Sequence, residues 1–132
     1  MKLKFTYYNA NPFNNSCGDC AIRAISKCEN ISWEEAYKNL SKIALELKDI
    51  LTTKQCILTY LKNRYKIEWC NIDLKNYEPT IGRKLLLLSS KKYNNAHLIY
   101  TENGAYYDTA RLDKQHYQVV EVYTPLEVAY DT

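Results

Sequence analysis

The sequence contains no run approaching the roughly 18 consecutive apolar residues of a membrane-spanning helix, no basic stripe, no repeat, no low-complexity stretch and no linker. Each absence removes a class of function. Without an apolar span, no membrane partner is expected. Lys and Arg total 18 against 15 acidic residues, with signs interspersed and a net charge of +3. That offers little attraction for a phosphate backbone, so no nucleic acid is expected either. The opening Met1-Lys2-Leu3-Lys4-Phe5 is too short and too polar for a secretory signal. Cysteines at 17, 20, 28, 56 and 70 are odd in number and irregular in spacing. This argues against a disulfide framework and for a reducing, cytoplasmic setting.

Phe and Trp are scarce at two each, whereas tyrosine is abundant at thirteen. Tyrosine buries its ring while its hydroxyl needs a partner, so many of these residues should lie at the core boundary. With 132 residues, 46% hydrophobic and 25% charged, the chain reads as one globular domain, 1–132. A first helix is expected from Asp19 or Cys20 to Cys28, with Ile22, Ile25 and Cys28 on one stripe and Asp19 as its cap. Ser32 with Glu35 forms a capping box for a second helix, whose inner face would carry Trp33, Ala36, Tyr37, Leu40, Ala44 and Leu47. A third helix should run from Thr53 to Arg64 with Ile57, Tyr60 and Leu61 inward. Strands are then expected over 66–72, 84–89, 96–101, 105–108 and 118–123, and Thr80-Ile81-Gly82 reads as the opening of a brief helix. Glu102-Asn103-Gly104 is a hairpin signal. The predicted class is α+β, with N-terminal helices packed on a C-terminal antiparallel sheet.

The chemistry concentrates in Asn14-Asn15-Ser16-Cys17-Gly18-Asp19-Cys20. This segment sets a thiol at a helix start, where unpaired N–H groups and the helix dipole favour a thiolate. Acyl chemistry on cysteine also needs an imidazole, a group to orient that imidazole, and donors for the oxyanion. Cys20 is the candidate nucleophile, His97 the base, and Asp108 the orienting acid. The Cys20 N–H and the Asn14 side chain are candidate oxyanion donors. With a turn at Asn103-Gly104, facing residues have numbers summing to 207, so Asp108 faces Ile99 and lies diagonal to His97, within side-chain reach.

The Asn14–Cys20 segment resembles the active-site loop of papain-like cysteine peptidases. Tyr8, Asn9, Asn11 and Pro12 before it, Gly18-Asp19-Cys20 with Ile22-Arg23-Ala24-Ile25, and His97 with Gly104, Tyr107, Asp108 and Thr109 are similar to small phage and bacterial proteins with a papain-like core. The resemblance spans nearly the whole chain, in the same order. It implies a minimal papain-like fold and a Cys20-His97-Asp108 triad acting on an amide, isopeptide or thioester carbonyl. The implied partner is a protein or peptide substrate, which for a phage protein would be a host protein in the host cytoplasm. No cofactor and no metal are implied. Where these enzymes usually have Gln, this chain has Asn14, one methylene shorter, with Asn15 and Ser16 as substitutes. Its third member is Asp rather than Asn, as in the bacteriocin-processing branch.

Other readings stay open. Cys20 could be a small packed hydrophobe, His97 a core histidine, Asp108 a strand-ending acid and Asn14 a turn residue. Arg23 reads as a structural partner of Asp19. Cys17-x-x-Cys20 lacks the second close pair of a zinc site and the preceding strand of a dithiol redox motif. The main alternative function is a non-catalytic papain-like binding module that interferes with a host defence protein or ligand.

Overall fold

The computed structural model describes residues 2–15, 17–90, 92 and 95–126. The three expected helices form as α1 (Cys20–Glu29), α2 (Trp33–Leu47) and α3 (Lys54–Arg64). Their ends follow local chemistry. The Ser32 hydroxyl accepts the Glu35 N–H at 3.1 Å, and the Thr53 hydroxyl accepts the Cys56 N–H at 3.2 Å. Asp19, by contrast, makes no side-chain cap on α1. Its two carboxylate oxygens are taken by the Arg23 guanidinium and the Trp33 indole, at 2.9 and 3.0 Å.

Six strands join one sheet: β1 (Lys4–Tyr7), β2 (Tyr65–Asp73), β3 (Arg83–Ser90), β4 (Ala96–Glu102), β5 (Ala105–Asp108) and β6 (Tyr117–Pro125), in the spatial order β1-β5-β4-β3-β6-β2. The class is α+β and the sheet mostly antiparallel. The expected order of helices first and strands after needs one correction. β1 precedes the helices and pairs parallel to β5. It alternates as a strand should, with Leu3 buried and Phe5 half-buried between exposed Lys4 and Thr6. Four residues are too few for that alternation to stand out in the sequence.

No helix forms at Thr80-Ile81-Gly82. Gly82 takes φ +95° and donates its N–H to the Asn103 side chain at 3.1 Å, turning the chain straight into β3. On α2, Tyr37 and Leu47 are exposed, and on α3 it is Cys56 that fills the interior while Ile57 is half-buried.

The leucines of β3 alternate across the sheet. Leu85 and Leu87 pack with Leu98, Tyr100 and the buried sides of all three helices. Leu86 and Leu88 pack on the opposite face with Leu3, Leu74, Ile99 and Tyr106. Tyr60, Tyr65 and Tyr100 penetrate farther than the boundary position expected of them, because acids reach in to meet their hydroxyls. Glu29 accepts the Tyr60 hydroxyl at 3.0 Å and the Tyr65 hydroxyl at 2.7 Å, and Glu102 accepts that of Tyr100 at 2.6 Å. Among the described residues, no helix is long and apolar enough to cross a membrane.

Candidate active site

Three elements converge on the start of α1. The first is the helix itself, with Cys20 as its first residue. The second is the β4–β5 hairpin, in which Asn103 and Gly104 both take positive φ, 49° and 88°, between Glu102 and Ala105. Two consecutive left-handed residues make the tight turn whose twist matches the flanking strands. The register follows, with Tyr100 opposite Tyr107 and Thr101 opposite Tyr106. The third is β1, whose pairing runs to Tyr7 opposite Asp108 and is extended by the Tyr8 N–H on the Asp108 carbonyl at 2.9 Å. The chain around Asp108 is thereby anchored on two sides.

Asp108 Oδ2 lies 2.7 Å from His97 Nε2, with side-chain exposures of 6% and 19%. Cys20 lies beside the same imidazole, lining one cavity with it, and each group shifts the titration of the other. Asp108 Oδ1 receives the Arg23 Nη1 at 3.0 Å and the Thr109 N–H at 2.7 Å. Arg23 Nε in turn meets Asp19 Oδ1 at 2.9 Å, and Asp19 Oδ2 accepts the Trp33 indole N–H at 3.0 Å. A continuous polar chain therefore runs Trp33–Asp19–Arg23–Asp108–His97 and ends beside Cys20. The Asp19–Arg23 spacing signalled the first pair. The link from Arg23 to Asp108 spans 85 residues and has no local signature.

Burial opposes charge at each ionisable end of this chain, and neighbours outweigh it. For His97, burial favours the neutral ring, but hydrogen bonds to Asp108 and Cys20, and their charges, raise its pKa to about 9. For Cys20, burial favours the thiol, but the His97 hydrogen bond and charge, the Leu98 N–H and the Arg23 charge hold its pKa below the ordinary value. Burial likewise pushes Asp108 upward, and His97, Arg23 and the Thr109 N–H bring it below its ordinary value. The shifts of Cys20 and His97 act together, each favouring thiolate beside imidazolium over the neutral thiol and ring, with the Asp108 carboxylate behind them. A thiol shifted in this direction holds more thiolate, the nucleophilic form, than an ordinary one at the same pH.

The other cysteines differ in kind. All five are free thiols. Burial, the largest influence on both, raises Cys28 to about 12 and raises Cys56, while Cys17 is raised by burial and by Asp19. Among the described residues, no group of three or more His, Cys, Asp or Glu is arranged to hold a metal ion.

Cys20 and His97 open onto a cavity of about 230 Å³. Asn14 is not brought into it. Asn14 is exposed at φ 54° and lines a neighbouring depression with Asn9, Asn15, Cys17 and Arg23. Its N–H bonds the Asn11 carbonyl at 3.0 Å. Asn11 is the buried amide of this loop, and its side-chain oxygen accepts the Phe13 N–H at 2.9 Å. Asn15 lines the same depression as Asn14, and Ser16 lies outside the described residues. In comparisons with known proteins, no family model, curated protein or solved structure matched this chain.

Proposed function

We propose that this chain is a cysteine-dependent hydrolase or acyltransferase of minimal papain-like fold, acting on the carbonyl of an amide, isopeptide or thioester. The observation that carries this reading is the Asp108–His97 contact of 2.7 Å, with Cys20 lining the same cavity as that ring. In the proposed reaction the Cys20 thiolate attacks the carbonyl carbon, and the oxyanion forms facing the Cys20 backbone N–H at the start of α1. Asn14 is the second proposed donor, and from its neighbouring depression it would have to move to serve. His97 gives its proton to the departing amine or thiol, which leaves an acyl group on Cys20. Neutral His97 then takes a proton from water, or from an acceptor amine, as that group attacks the thioester and regenerates the thiolate. Asp108 holds the ring in the orientation that keeps Nδ1 toward sulfur and supports the imidazolium.

Alkylation by iodoacetamide near neutral pH, followed by peptide mass mapping, tests the nucleophile. Cys20 should react well ahead of Cys28 and Cys56, and His97→Ala should slow it at least tenfold. Equal rates for the three cysteines, or a His97→Ala rate equal to that of the parent, would overturn the assignment.

A second reading, a non-catalytic binding module directed at a host protein, is favoured by exposed aromatic side chains. Phe13 is 82% and Trp69 83% exposed. A Cys20→Ala protein with full activity in cells would select this reading over chemistry.

A further inference from the structure

The cavity beside Cys20 is lined mainly by apolar side chains, with Thr52 and Lys54 added from the start of α3. Ala21 of α1, Ile57 and Leu58 of α3, and Leu87 and Leu98 of the sheet line it. Lys54, the first residue of α3, stands at its edge. Lys54 also lines an adjoining depression of about 250 Å³, which shares Leu87 and Ala96 with the first and ends at Ser89 and Asn95. The two hollows share Lys54, Leu87 and Ala96, and the second does not reach Cys20 or His97, so together they make a track beside the thiol. Among the described residues, no Asp or Glu lines either hollow. Lys54 is exposed and has no ion-pair partner among the described residues.

We infer that this track selects an acidic acyl donor: one with an aliphatic group seated against Ile57, Leu58 and Leu87, and a carboxylate farther along that pairs with Lys54. The inference rests on the nucleophilic reading of Cys20 and names the substrate class of that site. The apolar lining rewards removal of an aliphatic side chain from water and penalises a polar one that would go unpaired. The unpaired ammonium adds an attraction for anions at the point where the apolar wall ends, and no carboxylate lining the track cancels it.

Two vinyl sulfones test this, identical except that one ends in a carboxylate and the other in its methyl ester, each with an isobutyl side chain. The rate of Cys20 labelling is read by peptide mass mapping. The carboxylate probe should react about threefold faster than the ester at low ionic strength, with the ratio approaching one in about 0.5 M salt, as expected for an exposed pair. Lys54→Glu should invert the ratio. A ratio of one in the parent protein overturns the inference, as does a ratio that neither salt nor Lys54→Glu changes, since the imidazolium alone would then explain it. Iodoacetamide separates the two levels. If it labels Cys20 no faster than Cys28, the nucleophile and this inference fall together. If it labels Cys20 selectively while the probe ratio stays flat, only the acidic specificity fails.

Discussion

Replacing Asp108 by asparagine keeps the size of the side chain and removes its charge, which isolates the electrostatic support of His97. In the folded protein the imidazole is raised from 6.5 to about 9 against the opposition of burial. At about 1.4 kcal/mol per unit, neighbours favour the charged ring by roughly 3 kcal/mol beyond what burial takes away. The Asp108 hydrogen bond is the largest of the raising influences. Loss of a carboxylate at this range lowers a partner's pKa by about 1–3 units, so His97 in Asp108→Asn should titrate between about 6 and 8. The thiol would lose part of its imidazolium partner in the same step and rise toward its ordinary value. The chain has two histidines, so a proton NMR titration of the imidazole C–H resonances reads His97 directly, with His116 as internal control. A parent midpoint near 6.5, or a midpoint unmoved by Asp108→Asn, would refute the electrostatic account of the site.

The pH dependence of stability should carry a matching signature. A raised His97 contributes stability that is complete below about 6.5 and lost as pH rises through about 9. A depressed Cys20 contributes stability that is present above the ordinary thiol value and lost as pH falls through its folded value. Above about 6.5 the two contributions oppose each other, so the parent Tm should vary less with pH than the His97 contribution alone would dictate. Cys20→Ala removes the thiol half and should show a Tm that declines as pH rises above about 6.5, measured by calorimetry; a flat profile would contradict the coupling. At the hairpin, Gly104 holds φ +88° with nothing near the position of a Cβ. Gly104→Ala therefore suffers backbone strain alone, about 1–2 kcal/mol. Gly18→Ala, with open space and no positive φ, should change stability by less than about 0.5 kcal/mol. Denaturant melts of both check this, and equal losses would argue that the turn geometry is wrong.

What was legible in the sequence follows physical range. Local chemistry identified the capped start of α2, because a hydroxyl needs to reach only the N–H three residues on. The tight turn at Asn103-Gly104 was equally local, and arithmetic on that turn brought Asp108 diagonal to His97. By contrast, β1 has no sequence neighbour to pair with, and its place beside β5 exists only once the hairpin offers an edge. Gly82 looked like a helix start until Asn103, 21 residues later, claimed its N–H.

The amino-acid sequence by itself determined which residues have the chemistry and the local shape of their elements: a thiol at a helix mouth, and an imidazole and an acid on two arms of one hairpin. Only tertiary structure decided that α1 meets that hairpin, that Arg23 bridges Asp19 and Asp108, and that Asn14 faces a different hollow from Cys20. The reason is that capping and turn geometry act between residues a few positions apart. The charge state of a buried pair instead depends on desolvation and on neighbours that arrive from far along the chain.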